Sequence, residues 1–130
     1  MATSTPGGGG QTSLGMAPNV AGLLCYVRCC IGLIFSIVAV IAEKSNRFVR
    51  FHAFQSLLLH AIAIVLGLGL NLAQIALAAV NLGPVGLLLS LVGMVVGVAF
   101  LALAVFMMIK ANGGEEFELP TIGSMARQWI

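Results

Sequence analysis

The sequence predicts an all-α integral membrane protein with three transmembrane helices. Of its 130 residues, 60% are hydrophobic and 8% are charged, whereas a soluble domain has about 25% charged residues. The apolar runs are continuous rather than alternating, and an open sheet cannot exist in lipid, so helices are favoured over strands. A nucleic-acid partner is not expected, because a net charge of +2 on scattered residues makes no basic patch.

The predicted spans follow from one long stretch without charged residues, at 51–109, which the turn sequence NLGP at 81–84 divides. A span needs about 20 apolar residues, so we expect helix 2 at about 52–80 and helix 3 at about 84–110. Helix 2 is expected to start before the bilayer core, as an interfacial turn through 48–55. Helix 1 is predicted at about 20–42.

Three spans place the two termini on opposite sides of the membrane. The loop after helix 1 carries Lys44, Arg47 and Arg50, and the C-terminal end carries Lys110 and Arg127. Basic residues accumulate in cytoplasmic segments. We therefore expect a multi-pass protein of the inner (plasma) membrane, with its N-terminus outside and its C-terminus in the cytoplasm.

One transmembrane domain is expected at 20–130, after a flexible Gly-rich N-terminal tail at 1–19. Asn112, Gly113 and Gly114 are expected to end helix 3. Beyond them, Ser124 is predicted to cap a short amphipathic turn that carries Trp129 at the membrane interface. This C-terminal segment is expected to dock on the cytoplasmic loop or on a partner.

Several polar residues in or near the spans are candidates for contact with lipid or partner subunits. Arg28 lies inside helix 1, where it either contacts a lipid headgroup, a partner or a ligand carboxylate, or extends its side chain to the outer interface. At the cytoplasmic edge, Arg47, Arg50 and His52 are the candidates, and Trp129 joins them from the C-terminal segment.

His60 is the candidate cofactor residue, because an intramembrane histidine needs a partner. It either hydrogen-bonds a neighbouring subunit or binds the metal of a haem or chlorophyll. His52, on the same helix, cannot supply the second axial ligand of a haem, so a chlorophyll is the pigment hypothesis for His60. Chlorophyll or carotenoid is the cofactor expected for the chain as a whole. Cys25, Cys29 and Cys30 lack the paired spacing of metal sites and are interpreted as small side chains in a helix contact.

No metal site and no catalytic residues are predicted, since the chain has no Asp and no paired nucleophile and base. Small residues on helix 3 instead predict a face for close helix packing: Gly86, Ser90, Gly93 and Gly97.

Two blocks of the sequence resemble one known family. The block Phe48-Val49-Arg50-Phe51-His52-Ala53-Phe54-Gln55-Ser56 and the tail at 114–126 are similar to small bacterial and archaeal membrane proteins of unknown function, which are grouped distantly with the import-channel subunit of the chloroplast inner envelope. The resemblance covers about 20–127 of the chain. It implies three or four helices and no known catalysis. Arg28-Cys29-Cys30 and His60 depart from the family pattern, which suggests a ligand or partner of this chain's own.

These observations favour a non-enzymatic accessory subunit of a larger membrane complex of respiratory or photosynthetic type. It would pack against lipids, other membrane subunits and pigments. The alternative is a component of a transport or protein-translocation system, for which Asn71, Gln74 and Asn81 would form a polar stripe.

Overall fold

The computed structural model describes residues 12–27 and 30–130, and their regular structure consists of helices. There are five: α1 (Pro18–Cys25), α2 (Cys30–Ala42), α3 (Arg47–Ala79), α4 (Gly83–Asn112) and α5 (Ile122–Trp129). Residues 1–11, which include most of the predicted tail, lie outside the described residues, as do Arg28 and Cys29. The described chain is therefore all-helical, as predicted.

Two helices, α3 and α4, are long and apolar enough to cross a membrane. They confirm the second and third predicted helices, including the early start of helix 2. Asn81 makes the turn between them with a φ of 62°, and the Leu82 N–H donates to the Leu77 carbonyl. Pro84 follows in the first turn of α4, where its missing N–H leaves no hydrogen bond unmade.

The prediction of one continuous helix over 20–42 is wrong, because the chain leaves the helix after Cys25 and resumes at Cys30. At the end of α1, the N–H groups of Tyr26 and Val27 donate to the carbonyls three residues before them, those of Leu23 and Leu24. Gly32, in the first turn of α2, lies so close to Val27 that an added Cβ would stand 2.0 Å from the Val27 carbonyl oxygen. The first apolar segment is therefore two short helices, separated by a break that begins at Tyr26.

The outer ends of α1 and α2 lie at the same end of the molecule. Before α1, the Ser13 N–H donates to Glu43 Oε2 at 2.7 Å, just beyond α2. Asn19, in the first turn of α1, donates to the carbonyl of Asn112 at 3.2 Å, at the end of α4. Ser13 and Asn19, both before residue 20, thus contact the ends of α2 and α4, and α1 and α2 form a hairpin beside the first part of α3.

The C-terminal segment at 115–130 packs against the first half of α3 and includes the predicted short helix as α5. The predicted cap is wrong, since Thr121 precedes the helix and Ser124 Oγ donates to the Thr121 carbonyl at 2.8 Å. Thr121 has a φ of 66° and a ψ of −53°, and the Ile122 N–H donates to the Pro120 carbonyl at 2.7 Å, so the chain enters α5 through a tight turn.

The buried core is concentrated at one end of the molecule, which we call the base. Along α3 the buried side chains lie between Phe48 and Leu59. Beyond them, α3 and α4 continue as a two-helix extension whose large apolar side chains are mostly exposed from Ile62 to Leu101. The base is formed by α1, α2, α5 and the adjoining parts of α3 and α4.

Candidate functional site

A buried hydrogen-bonded chain of three side chains lies in the centre of the base. His52 Nδ1 is 3.0 Å from the hydroxyl of Tyr26, and Gln55 Nε2 donates to the same hydroxyl at 3.0 Å. His52 Nε2 is 2.9 Å from the Glu115 carbonyl, which can only accept, so this nitrogen carries the proton. In the neutral ring, Nδ1 then accepts from Tyr26. All three side chains are buried, and their donors and acceptors match one another.

The same residues hold the C-terminal segment in place. Gln55 donates to the Phe117 carbonyl at 3.0 Å and accepts the Leu119 N–H at 2.8 Å. Gly123 lies against it, and a Cβ there would be 2.7 Å from Gln55 Oε1. His52, a candidate for lipid or partner contact, is fully buried and contacts its own chain.

The buried carbonyl group at the end of α1 is satisfied by two side chains. The carbonyl of Cys25, left over at the end of α1, accepts from Ser36 Oγ at 3.1 Å and also from Ser56 Oγ. A helix end buried without such partners would be costly. Ser36 on α2 and Ser56 on α3 thus stabilise the break in the first apolar segment.

Glu43 is a buried acceptor that organises the loop between α2 and α3. Its carboxylate accepts from the N–H groups of Ser13, Ser45 and Asn46, and from both serine hydroxyls. Burial alone would raise the pKa of the Glu43 carboxyl, but these hydrogen bonds outweigh burial and lower the pKa to about 2. The charged form is therefore the one that this loop requires.

Acid is expected to destabilise the base through Glu43. Because its pKa is lower in the folded protein than the ordinary 4.5, the stabilisation is complete above that value and is lost as the pH falls from about 4.5 toward about 2. Glu43→Gln should lower the unfolding free energy at neutral pH by about 1–3 kcal/mol and flatten the acid dependence. Thermal unfolding in detergent between pH 7 and pH 3 measures both effects. An unchanged acid profile in Glu43→Gln, with exposed Glu115→Gln as the control, would contradict this role.

The predicted basic residues have different environments. Arg50 Nη1 donates to the carbonyls of Val40 and Glu43 at 3.2 and 2.8 Å, so it closes the end of α2, and its guanidinium lies over the Phe54 ring. Arg47 is exposed. Arg28 lies outside the described residues, so its role stays a prediction.

The histidine predicted to hold a pigment, His60, lies where the base meets the extension of α3 and α4. Its Nδ1 donates to the Ser56 carbonyl of its own helix at 2.8 Å, which leaves Nε2 as the acceptor in the neutral ring. The cavity that it lines with Tyr26 and Phe100 measures about 10 Å³, roughly the space of one water. A chlorin ring does not fit inside this cavity, and pigment binding at His60 stays a prediction.

The cysteines that the structure describes occupy different environments. Cys25 is buried and its thiol donates to the Ala21 carbonyl at 3.3 Å, whereas Cys30 is exposed. Among the described residues, no group of three or more His, Cys, Asp or Glu is placed to hold a metal ion.

Trp129 and Arg127 pack α5 against α3. The Trp129 ring packs edge-on against Phe54 with 5.8 Å between centroids, and it remains 48% exposed. Arg127 lies 4.4 Å over the Phe51 ring and pairs with Glu116 at 3.0 Å and with Glu118.

The small residues of α4 are divided between two environments. Gly86 is buried beside Leu77, and Gly93 lies against Leu70, so both face α3. Ser90 Oγ donates to the Gly86 carbonyl of its own helix. Gly97 has no atom within 4 Å of its added Cβ and lines an open apolar cleft of about 110 Å³ between α3 and α4.

Two residues of the predicted polar stripe, Asn71 and Asn81, interact only with nearby parts of the chain. Asn71 Nδ2 donates to the Gly67 carbonyl of its own helix at 2.8 Å, and Asn81 forms the turn between α3 and α4. The transport hypothesis stays a prediction.

Sequence reasoning missed Tyr26, Ser36, Glu43 and Gln55 as site residues. A signal was present for Gln55, because residues three apart on a helix share a face, and Gln55 follows His52 at that spacing. Glu43 had no comparable signal, since a carboxylate in a loop beside basic residues ordinarily stays in solvent.

Comparison with known proteins identifies similar sequences across nearly the whole chain. The model of the magnetosome magnetite crystal formation protein family matches residues 11–126. The UPF0132 membrane protein MJ1443 of Methanocaldococcus jannaschii is 42% identical over 120 residues, which cover 92% of this chain and 94% of that protein. A UPF0132 membrane protein of Archaeoglobus fulgidus is 36% identical over 88% of this chain and 97% of its own length. No solved structure matches the chain.

A second protein of the first organism, UPF0132 membrane protein MJ1527, is 33% identical over 90% of this chain and 73% of its own length. The predicted resemblance to small archaeal membrane proteins is thereby confirmed. The distant relation to the chloroplast import channel stays a prediction.

Proposed function

The chain belongs to the magnetosome magnetite crystal formation protein family, and from this premise we propose that it is a non-enzymatic structural subunit of a larger membrane assembly. The observation that carries the proposal is a contrast between two parts of the molecule. In the base, every buried side-chain nitrogen and oxygen of the described residues has a hydrogen-bond partner. The extension of α3 and α4, by contrast, presents a nearly continuous apolar surface.

The satisfied polar groups favour a structural role for the base. A catalytic group needs a reactive atom that a substrate can reach. The side chains of His52, Gln55 and Tyr26 are instead hydrogen-bonded to one another and to the C-terminal backbone. Their arrangement supports a rigid unit at one membrane surface. The base would then set the position of the apolar extension within an assembly.

The family description names magnetite crystal formation, and a direct contact with an iron mineral would use exposed carboxylates. The C-terminal carboxylates of this chain are each paired, Glu115 with Lys110, and Glu116 and Glu118 with Arg127, although Glu115 and Glu118 remain exposed. We place this chain's contribution in membrane assembly because of the apolar surface of the extension.

The partner surface in this proposal is the open cleft between α3 and α4. Its lining combines glycines with large apolar side chains: Ala63, Leu66, Gly67, Leu70, Gly93, Val96, Gly97 and Phe100. Gly67 and Gly97 have no atom within 4 Å of an added Cβ. In lipid, such small residues let another helix approach closely.

Filling the cleft is expected to release the partner. A tagged chain extracted in mild detergent should co-purify with other subunits, and Gly97→Leu should lose them while the fold is kept. Val98→Leu is the matched control, because Val98 is exposed on the same helix and does not line the cleft.

The absorption spectrum of the eluate, compared with that of His60→Leu, tests for a pigment of a respiratory or photosynthetic host. A solitary native chain in mild detergent would overturn the proposal.

A further inference from the structure

The break in the first apolar segment leads to an inference about how the chain meets the bilayer. We propose that α1 and α2 form a re-entrant hairpin, which enters and leaves the same leaflet without crossing the membrane. The partner of its outer face is the acyl-chain layer of that leaflet. The N-terminal and C-terminal segments then lie on one side of the membrane, in place of the opposite sides that three spans would require.

Helix length is the first argument. At about 1.5 Å per residue, the 8 residues of α1 extend about 12 Å and the 13 residues of α2 about 20 Å. The hydrocarbon core is about 30 Å thick. Neither helix reaches across it alone, and the turn after Cys25 prevents the two from adding their lengths.

The second argument is the direction in which the hairpin runs. Ser13 and Asn19 contact Glu43 and Asn112, which are at the base end, whereas the Cys25 carbonyl at the far end of α1 meets Ser56. Ser56 lies nine residues after the first residue of α3, or about 14 Å along the helix. The hairpin therefore reaches about half the depth of the apolar core and then returns.

The third argument is the surface of α2, which matches one leaflet in both hydrophobicity and charge. Its exposed side chains form an apolar stripe along the helix: Ile31, Ile34, Ile37, Val38 and Ile41. Directly after the stripe, at the mouth of the hairpin, Lys44 and Arg47 are exposed. Acyl chains would cover the stripe, and the two cations suit the phosphates of the same leaflet.

The fourth argument is that the described start of the break, at Cys25 and Tyr26, suits an apolar surrounding. Non-helical backbone at membrane depth survives only where it is buried in protein or hydrated. Tyr26 is 1% exposed, and Ser36 and Ser56 satisfy the Cys25 carbonyl. The Cys25 carbonyl therefore has hydrogen-bond partners from the protein, Ser36 and Ser56, at the depth where lipid offers none.

The charges assign the side. Lys44, Arg47, Arg50, Lys110 and Arg127 all belong to the base end, whereas the turn at 81–84 has no basic residue. By the positive-inside preference, the base and the N-terminal tail are cytoplasmic.

Impermeant thiol labelling of intact cells tests this topology. In a background with the three native cysteines replaced by Ala, single cysteines are placed at Thr5, Gln128 and Gly83. We expect Gly83→Cys to react in intact cells, and Thr5→Cys and Gln128→Cys to react only after permeabilisation. Labelling of Thr5→Cys, but not Gln128→Cys, in intact cells would overturn the proposal. A protease-cleavable N-terminal tag on the unaltered chain gives the same readout without substitutions.

A fluorescence measurement tests whether lipid covers α2. Trp129→Phe removes the single tryptophan, and Ile34→Trp then reports on the stripe in vesicles that carry brominated acyl chains. We expect a blue-shifted emission that the bromines quench. A red-shifted emission without quenching would place the stripe in water and overturn the proposal. Leu72→Trp on the exposed face of α3 serves as the lipid-facing reference.

Discussion

Gly32→Ala is expected to unfold the α1–α2 hairpin, because the new methyl group would stand 2.0 Å from the Val27 carbonyl oxygen. The obstruction is backbone, so no rotamer change relieves it. Overpacking ordinarily costs about 1–3 kcal/mol, and we expect a loss at or above the upper end of that range. Thermal or SDS-induced unfolding of the purified protein measures the loss.

A local readout separates hairpin opening from general damage. In a background with Cys29→Ala and Cys30→Ala, the remaining Cys25 is fully buried in the native protein, and Gly32→Ala should make it reactive toward a thiol reagent. Gly69→Ala is the matched control, since its added Cβ meets no atom within 4 Å. A stable, unreactive Gly32→Ala protein would show that the turn is not as close as described.

The second large effect is expected from Gln55→Ala, which removes all the side-chain contacts between Gln55 and the C-terminal segment. The Phe117 carbonyl and the Leu119 N–H would each lose their Gln55 partner, and an unsatisfied buried group costs about 1–3 kcal/mol. We expect a loss of about 3 kcal/mol and release of the segment at 115–130. A glutamyl-specific protease should then cleave at Glu115, Glu116 or Glu118 much faster than in the native protein.

Gln74→Ala is the control, because it removes the same amide from the apolar extension of α3, where it is only partly buried. Its stability and its rate of C-terminal cleavage should stay close to those of the native chain. Equal cleavage of Gln55→Ala and the native protein would mean that contacts elsewhere hold the segment, such as Arg127 over Phe51.

The long helices were predictable because their signals are strong and local. Charge-free apolar residues set the extents of α3 and α4, and Asn81 and Pro84 mark the turn between them. The end of α4 at Asn112 followed from the glycines after it, and the structure places Gly114 at a φ of 80°. In each case a nearby residue with distinct backbone preferences determines the boundary.

The break in the first apolar segment could not be predicted by the same means. No glycine or proline lies between Cys25 and Cys30, and the residue that permits the turn, Gly32, is already inside α2. The partners that stabilise the break, Ser36 and Ser56, are distant in sequence from the turn. The base is likewise a product of tertiary contacts, since Gln55 and His52 meet backbone groups more than sixty residues away.

The contact between Asn19 and Asn112 offers the most direct test of the central claim, that the first apolar segment returns to the side from which it enters. A pair of cysteines, Asn19→Cys with Asn112→Cys, should crosslink in native membranes when the native cysteines are replaced by Ala. The pair Asn19→Cys with Asn81→Cys should not, because Asn81 lies at the opposite end of α3. Three spans would place Asn19 on the same side as Asn81 and away from Asn112. Crosslinking of Asn19→Cys to Asn81→Cys, without crosslinking to Asn112→Cys, would contradict the account.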